Sequence, residues 1–358
     1  MTLAEIRKKI DAIDEQLLTL LNERADCVHA VGLLKKAEGA AIYAPEREEQ
    51  VLRSLVERSR AHGGRLPEKA IRAIYREIMS ASLALEKDLT IAYVGLEATS
   101  THQAAQIKFG ASVNYIPRPS IAEVFEMVER GSADYAVVPI ENSTDGAVNH
   151  ALDVFMKSDL RICAQILVKV ENHLVAKIER EQIRTLYSHP QVFGQCRNWL
   201  RRNVAALDLV EVPSTPRAAE LAANEPSAGA ITGKMAAELH GLRILEPSIQ
   251  DLPNKTSRFL VIGHNASPPT GDDRTSIIFC VRDKPGALFA ALGALNRLRI
   301  SMSRIGSRPS TRHAWEQFFF VDVEGHASEP KLQEAFTELE KHCTFAKILG
   351  TYPRTPAT

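Results

Sequence analysis

The sequence predicts a multidomain chain with an all-helical N-terminal segment, a two-lobed α/β middle segment and a ferredoxin-like βαββαβ C-terminal segment. Three observations support this. The 358 residues suffice for two or three domains. Apolar residues recur with a helical period over residues 1–88. Beyond residue 88, short apolar runs typical of strands alternate with helical stretches.

Composition excludes several classes of protein. Apolar residues make up 45% and charged residues 25%, the mix of a soluble globular chain. Lys+Arg and Asp+Glu both number 44, so no net charge favours nucleic acid or an anionic membrane. The charged N-terminus lacks the apolar core of a signal peptide, and no run reaches the roughly 20 apolar residues of a membrane span. Five dispersed cysteines without a CxxC pair argue against zinc and disulfides. We therefore expect a cytoplasmic protein without metal or cofactor.

The N-terminal segment begins with a long amphipathic helix. Thr2 and Glu5 have capping-box spacing, and the helical pattern continues without proline to about Lys36. Pro45 and Pro67 stand where the second and third helices should open. One face of the first helix is marked by apolar residues at Leu3, Ile6, Ile10, Ile13, Leu17 and Leu21.

The length of this helix predicts a homodimer. About 35 residues span roughly 50 Å. A compact domain of this size should have a radius of gyration of only about 12 Å. Such a helix cannot bury its apolar face within one small domain, so we expect two intertwined copies, or a higher homo-oligomer.

The remaining segments divide at a polar stretch. Residues 89–265 have the rhythm of an α/β domain with largely parallel strands. Residues 264–273, HNASPPTGDD, are typical of a linker. Residues 275–358 follow in βαββαβ order. The predicted domains are therefore 1–88, 89–265 and 275–358.

Polar residues of the helical segment have a spacing that lets them converge on one ligand. Arg24 and Lys35 are eleven residues apart, so they share a helical face and their Cα atoms lie roughly 16 Å apart. Arg7 is about 25 Å from Arg24 along the axis, so it must come from a partner chain to reach the same ligand. Ser82 and Glu86 are neighbours at i, i+4. Taken singly, each is more often a solvated surface residue.

Together these residues resemble the all-helical chorismate mutase family. The resemblance implies the rearrangement of chorismate to prephenate, which needs clamped carboxylates and a stabilised ether oxygen but no nucleophile or metal. The related isochorismate–pyruvate lyases share this fold and are the alternative for this segment. The implied site consists of Arg7 from the partner, Arg24 and Arg47 at carboxylates, Lys35 and Glu86 at the ether oxygen, Glu48 at the substrate hydroxyl, and Ser82.

Position 86 departs from family members that have glutamine there. A glutamate donates a hydrogen bond to the ether oxygen only when it is protonated. We therefore expect burial to raise the pKa of Glu86.

The middle segment carries four polar clusters near predicted strand ends, where open α/β sheets bind ligands. They are EATSTHQAA (97–105), VPIENSTDGAV (138–148), SHPQVFGQCRNWL (188–200) and NKTSRFLVIG (254–263). Each alone is more often a turn. In this order they resemble prephenate dehydratase. The resemblance implies two lobes of the type II periplasmic-binding-like kind with the site in the cleft, and conversion of prephenate to phenylpyruvate.

The same resemblance assigns roles to single residues. Ser257 is expected to donate to the departing hydroxyl, with Thr256 as the alternate, and Arg258 to bind a carboxylate. The loop at 95–100 lacks a proline, a glycine and an aromatic residue of the family pattern. The histidines show no metal-binding spacing. Further substrate-binding residues are expected at Thr101, Asn142, Ser143, Thr144, His189, Gln191, Ser214 and Thr215.

The C-terminal segment resembles an ACT domain that senses phenylalanine, through DKPGALF (283–289) and WEQFFFVDVEG (315–325). The effector is expected at Gly286, Ala287, Leu288 and Ser301, with backbone N–H groups at the helix start receiving its carboxylate. The stretches at 299–301 and 306–309 depart from the family's GIN and ESRP, which predicts weakened or altered inhibition. The alternatives are a domain that only dimerises and, for the whole chain, a ligand-binding regulator.

Overall fold

The computed structural model describes residues 1–38, 43–142, 146–147, 149–204, 207–253, 256–309 and 317–354. It separates into two compact units. The helical unit consists of residues 1–90 together with 108–114, and the α/β unit of residues 91–107 together with 115–358.

Three helices form the helical unit: α1 (Leu3–Glu38), α2 (Pro45–Ala61) and α3 (Glu68–Glu86). The predicted capping box is confirmed. The Thr2 N–H donates to the Glu5 carboxylate at 2.7 Å, and the Glu5 N–H donates to the Thr2 hydroxyl at 3.3 Å. Pro45 is the first residue of α2, as predicted, whereas Pro67 lies one residue before α3 and caps it.

Helix α1 buries none of its residues within the chain. Leu20, Leu33 and Leu34 are 60%, 59% and 65% exposed. The small core of the unit lies instead between α2, α3 and the segment 108–114, where the rings of Tyr43 and Phe109 lie 5.0 Å apart. The long helix therefore presents an apolar face that its own domain does not cover.

The α/β unit contains two sheets that belong to two lobes. The chain forms β1 (Thr90–Val94), α4 (Ser100–Phe109), β2 (Asn114–Arg118), α5 (Ile121–Glu129), β3 (Tyr135–Asn142), β4 (Gly146–Ala147), α6 (Asn149–Lys157) and β5 (Arg161–Lys169). It continues with β6 (His173–Ala176), β7 (Thr185–Ser188), α7 (Pro190–Gln195), α8 (Arg197–Asn203), β8 (Asp208–Glu211), α9 (Thr215–Asn224), β9 (Ala228–Thr232), α10 (Lys234–Leu239), β10 (Arg243–Glu246) and β11 (Thr256–Gly263).

The first lobe has the strand order β2-β1-β3-β11-β5 with β4 beside β3, and the second has the order β10-β6-β9-β7-β8. The expectation of largely parallel strands is only partly correct. Strands β1 and β3 are parallel, as are β7 with β8 and β9, but β11 runs antiparallel to both β3 and β5. The reason is topological, since β11 enters the first sheet on the return of the chain from the second lobe.

The C-terminal part has the predicted ferredoxin-like order. It comprises β12 (Asp273–Val281), α11 (Ala287–Arg297), β13 (Met302–Pro309), β14 (Gln317–Glu324), α12 (Pro330–Glu340) and β15 (Cys343–Pro353). The antiparallel sheet has the order β13-β14-β12-β15. Its two helices pack on an apolar core that includes Phe279, Ala291, Val321 and Phe336.

The predicted linker is packed against the first lobe. The Ser267 hydroxyl donates to the Cys163 carbonyl at 3.1 Å, and Ser267 is only 4% exposed. His326 of the C-terminal domain contacts the Ser267 carbonyl at 2.9 Å through Nε2. The segment therefore joins two domains that share one compact unit. Among the described helices, none combines the length and the apolar character that a membrane crossing requires.

Candidate active sites

The α1–α3 interface of the helical unit gathers four of the predicted mutase residues. Arg24 donates from Nη1 to the Ser82 hydroxyl at 2.6 Å, and this hydroxyl donates to the Ile78 carbonyl at 2.8 Å. Lys35 Nζ lies 3.9 Å from Glu86 Oε2. Ser82 and Glu86 are one turn apart on α3, so two cations of α1 meet two acceptors of α3.

Glu86 is held in a desolvated position. Its side chain is 5% exposed, and its Oε2 atom accepts no hydrogen bond from the described residues. Burial raises the pKa of Glu86, while the charges of Lys35 and His29 partly oppose this. The elevation expected from the sequence is therefore present, and its cause is desolvation.

Gly32 explains how Glu86 comes so near to α1. A Cβ atom at position 32 would lie 2.9 Å from Glu86 Cγ, closer than real side chains approach. Glycine in a helix interior costs about 1 kcal/mol relative to alanine. The sequence analysis overlooked Gly32, although an isolated glycine within a strong helical pattern is a signal for such close packing.

Helix α2 places its charged residues differently from the expectation. Arg47 is exposed and its Nη1 lies 3.5 Å from Gln50 Oε1. The Glu48 carboxylate is bound by Lys108 at 2.7 Å. Glu46, which the sequence analysis did not select, has a buried Oε2 without a hydrogen-bond donor among the described residues. Burial raises the pKa of Glu46, and Lys35 lies near enough to oppose this shift.

Arg7 does not join the other residues within one chain. It is exposed in the first third of α1, seventeen residues before Arg24. At 1.5 Å per residue the two lie about 25 Å apart along the helix. The site of a single chain therefore lacks this arginine.

The α/β unit contains a polar cavity of about 260 Å³. It is lined by Ala98, Thr99, Ser100, Gln103, Val170, Glu171, Asn172, His189, Gln191, Val192, Gln195, Pro213, Ser214, Thr215, Pro216, Gly233, Met235 and Ser257. Hydroxyl and amide groups dominate this lining, and no lysine or arginine occurs among these residues.

Helix N-termini supply the positive potential that the cavity side chains lack. Helices α4 and α9 begin at Ser100 and Thr215, and both residues line the cavity. Free backbone N–H groups and the helix dipole attract anions at such ends. The Ser214 hydroxyl caps α9 by accepting from the Arg217 N–H at 3.3 Å. The cavity therefore suits an anionic ligand that also carries hydroxyl groups.

Five predicted residues line this cavity, namely His189, Gln191, Ser214, Thr215 and Ser257. Thr101 is not among the lining residues and is 6% exposed on α4, next to Ser100. Thr256 also lies outside the lining.

The structure describes the ENSTDG loop only in part. Asn142 pairs with Ser257 in the β3–β11 ladder and with Gly146 in the β3–β4 ladder. Ser143 and Thr144 lie outside the described residues.

Arg258 corrects one prediction. Its side chain is 7% exposed and lies away from the cavity lining. Its Nη1 donates to Asp322 Oδ2 at 2.5 Å and its Nη2 to the Tyr352 hydroxyl at 2.7 Å. Successive residues of a strand point to opposite faces, so when Ser257 faces the cavity Arg258 faces the C-terminal domain.

The sequence analysis did not select Asn172, Gln195 or Thr99 as binding residues, although Thr99 and Gln195 lie within two of its polar clusters. Asn172 Nδ2 donates to Gln195 Oε1 at 3.2 Å, which joins the end of β5 to α7. A usable signal existed for Asn172, because the VEN triplet directly follows the apolar run of β5. Gln195 offers no such signal, since it lies within a helix.

His102 and His189 both make contacts that stabilise the local fold. His102 stacks on Tyr93 with ring centroids 4.7 Å apart, and its Nδ1 accepts from the Ala98 N–H at 3.0 Å. Burial lowers the pKa of His102. His189 Nδ1 accepts from the Gln191 N–H at 3.2 Å and caps α7. No metal-binding group of three or more His, Cys, Asp or Glu residues occurs in the described part of the chain.

The predicted effector residues flank α11. Gly286 has φ = +78° directly before α11, a left-handed conformation that glycine adopts freely. Ala287 is buried, Leu288 packs against the core, and Ser301 is exposed just before β13. Arg299 also adopts a left-handed conformation, with φ = +50°. This left-handed conformation is strained for arginine, and the ACT family commonly has glycine at the corresponding position.

Comparisons with known proteins cover nearly the whole chain. Family models match residues 6–87 (chorismate mutase type II), 91–267 (prephenate dehydratase) and 275–341 (ACT domain). The bifunctional chorismate mutase/prephenate dehydratase of Aquifex aeolicus (strain VF5) is 43% identical, over 98% of each chain. That of Pseudomonas aeruginosa is 40% identical, also over 98% of each. A solved prephenate dehydratase from Arthrobacter aurescens, in complex with L-Phe, is 31% identical with a TM-score of 0.69, covering 75% of this chain and 92% of that chain.

Proposed function

Since the chain belongs to the bifunctional chorismate mutase/prephenate dehydratase family, we propose roles for its residues in two successive steps. The chain is an enzyme of phenylalanine biosynthesis: it rearranges chorismate to prephenate and converts prephenate to phenylpyruvate, under feedback control through its ACT domain. What carries the residue assignment is the contrast between the cationic α1–α3 interface and the hydroxyl-lined cavity. Incubation with chorismate should yield phenylpyruvate, whereas accumulation of prephenate alone would show that the second step is missing.

In the first step, the rearrangement of chorismate, fixed positive charges of Arg and Lys side chains bind the substrate. Arg24 and the partner's arginine would hold carboxylates of chorismate in the folded geometry that reacts, with Arg47 reorienting from its exposed position toward the ligand. Lys35 and a protonated Glu86 would donate to the ether oxygen, where negative charge develops as the carbon–oxygen bond breaks. Ser82 keeps Arg24 oriented, and Glu48 is assigned to the substrate hydroxyl.

Mutase activity should fall as pH rises through the raised pKa of Glu86. The protonated carboxyl donates a hydrogen bond, whereas the carboxylate repels the developing negative charge. Because burial raises this pKa, the active form persists to higher pH than for an exposed glutamate. The pH profile of kcat/KM for chorismate measures the effect. Glu86→Gln, a permanent donor of the same size, should flatten the fall, and a flat wild-type profile from mildly acidic to alkaline pH would refute the role.

The mutase site requires two chains in this proposal. The exposed apolar face of α1 supports a homodimer, and so does the distance of Arg7 from Arg24. In an intertwined dimer, Arg7 of one chain completes the site that Arg24, Lys35 and Glu86 form in the other. A higher homo-oligomer would need a second surface besides this face, because the dimer covers it.

Mixing two inactive variants tests this arrangement. Arg7→Ala and Arg24→Ala should each lose mutase activity alone. In a heterodimer of the two, one site keeps Arg24 from one chain and Arg7 from the other, while the second site lacks both. After subunit exchange at equal amounts, about one quarter of the wild-type sites should be restored. No recovery, with heterodimers demonstrated by differential tagging, would contradict sharing of the site.

The second step uses neutral donors. Prephenate releases carbon dioxide from its ring carboxylate, and the resulting electron pair expels the ring hydroxyl, which leaves as water after gaining a proton. Ser257 would donate to this departing hydroxyl. The N-termini of α4 and α9, with Ser214 and Thr215, would hold the side-chain carboxylate in place of the arginine first expected. Asn142, Ser143, Thr144, Thr101, His189 and Gln191 remain proposed substrate-binding residues.

The effector site and the cellular setting remain proposals as well. Phenylalanine would place its carboxylate at the Gly286 turn, with Ala287, Leu288 and Ser301 nearby. Weakened inhibition caused by the substitutions around Arg299 stays a prediction. We assign the domains to residues 1–88, 89–265 and 275–358. A cytoplasmic setting is supported by five free cysteines, including exposed Cys27.

A further inference from the structure

Four charged side chains connect the dehydratase sheet to the ACT sheet, and we call them the charge quartet. Glu141 on β3 lies opposite Arg258 on β11 in one sheet. Arg304 on β13 lies opposite Asp322 on β14 in the other sheet. Each sheet thus contributes one arginine and one carboxylate from a directly opposed pair.

The ion pairs of the quartet cross between the sheets. Arg258 donates to Asp322 at 2.5 Å, and Arg304 Nη1 lies 3.2 Å from Glu141 Oε2. Each carboxylate is therefore neutralised by the arginine of the other domain. Loss of either domain's contribution would leave charges without partners at the junction.

The junction is buried enough for these contacts to be strong. The side chains of Arg258 and Asp322 are 7% and 0% exposed, whereas those of Arg304 and Glu141 are 14% and 34% exposed. Ser276 donates to the second oxygen of Asp322 at 2.5 Å, and Tyr352 accepts from Arg258. Burial disfavours the guanidinium charge, but Tyr352 and Asp322 outweigh this and raise the pKa of Arg258. Because an unpaired charge is costly in a low-dielectric environment, the side chains of such pairs must keep their hydrogen-bonding geometry.

The quartet lies immediately beside the proposed dehydratase residues. The next pair along the β3–β11 ladder is Ser257 opposite Asn142. On the other side of the quartet the ladder is irregular, since Phe259 pairs with Pro139 and one residue of β3 is skipped. Side-chain anchoring at Arg258 and Glu141 therefore fixes the strand pair at a point where the β3–β11 ladder is interrupted.

The quartet is also close along the chain to the proposed effector site. Strand β13 begins one residue after Ser301 and carries Arg304. The same strand carries Arg308, which forms an ion pair of 2.5 Å with Asp153 on α6, the helix that follows the ENSTDG loop. Strand β13, which follows the proposed effector site, thus contacts both β3 and α6, which lie before and after the ENSTDG loop along the chain.

We propose that the charge quartet positions Ser257 for dehydration, and that it is the contact through which the ACT sheet controls that step. Arg258 and Arg304 are positioning residues that act through the β3–β11 pair and touch no substrate. The proposal rests on the role assigned to Ser257 above.

The test compares single and double variants of the less buried ion pair of the quartet, Glu141 with Arg304. Glu141→Gln and Arg304→Gln should each lower dehydratase kcat by about 10-fold, with KM for supplied prephenate changed less. The double variant should be no worse than the poorer single one, because both remove the same contact. Mutase activity on chorismate is the internal reference in every variant.

A matched control separates the quartet from the interface in general. Arg274 on β12 donates to Gln165 on β5 at 3.0 Å, an arginine contact between the same sheets without a carboxylate. Arg274→Gln should leave kcat within about 2-fold of wild type. An equal loss in this control, unchanged kcat in Arg304→Gln, or losses that add up in the double variant would overturn the proposal. Arg304→Lys, which keeps the charge and endangers folding least, should fall between wild type and Arg304→Gln. If Ser257→Ala kept full activity, the role of Ser257 would fail, and the comparison of single and double variants would still report on the coupling.

Discussion

Replacement of Lys35 by alanine should lower mutase kcat by about 10² to 10³ and leave the dehydration of supplied prephenate unchanged. Lys35 is the only described cation beside Glu86 Oε2 in an ion pair, and it is the proposed donor to the ether oxygen. Removing one preorganised donor from such a site costs about 10² to 10³ in kcat. Loss of Lys35 also leaves the Glu86 carboxyl without its opposing charge, which should raise the pKa of Glu86 further.

The measurement follows the disappearance of chorismate and, separately, the formation of phenylpyruvate from prephenate. Lys36→Ala is the matched control, since Lys36 is the neighbouring exposed lysine on α1 and points about 100° away from Lys35. It should retain mutase activity to within about 2-fold. Equal effects of the two replacements would show that helix stability or general charge, and not a placed donor, explains the loss.

The second large effect should come from Ser257→Ala. The dehydratase step should lose about 10² to 10³ in kcat because no other group is assigned to donate to the departing hydroxyl. The change removes a single oxygen from a strand whose neighbours on both sides remain paired, so the fold should be retained. Chorismate would then be converted to prephenate, which should accumulate.

Thr256→Ala is the control that decides between two adjacent hydroxyls. Thr256 is the residue before Ser257 on β11 and does not line the cavity. Its replacement should change dehydratase kcat by less than about 3-fold. A large loss in Thr256→Ala together with a mild one in Ser257→Ala would reassign the donor, whereas mild losses in both would remove the hydroxyl donor from the mechanism.

Much of the first site was predictable because a single helix fixes spacing. Arg24 and Lys35 share a face at eleven residues on any α-helix, and Ser82 and Glu86 do so at four. The structure brings these four together across α1 and α3. The sequence does not show which side of α2 faces the site, because consecutive charges at 46, 47 and 48 lie on three different faces.

Some boundaries of the units also depend on tertiary contacts. Residues 108–114 run from the end of α4 to the start of β2 in the predicted dehydratase domain, yet they belong to the same unit as the three N-terminal helices. Gly110 illustrates the reason, because it has φ = +74° and a Cβ there would lie 2.5 Å from Ser80 Cβ. Local patterns predict elements but not such close approaches between them.

The sequence alone indicated the three segments, the capping box of the first helix and the order of helices and strands in the C-terminal domain. These features depend on local periodicity and on spacing along one element. Only the tertiary structure decided that Ser257 faces the cavity and that Arg258 is committed to Asp322. Alternation along a strand places the two side chains on opposite faces of the sheet. The C-terminal sheet packs against the face that carries Arg258, which leaves the face that carries Ser257 for the substrate.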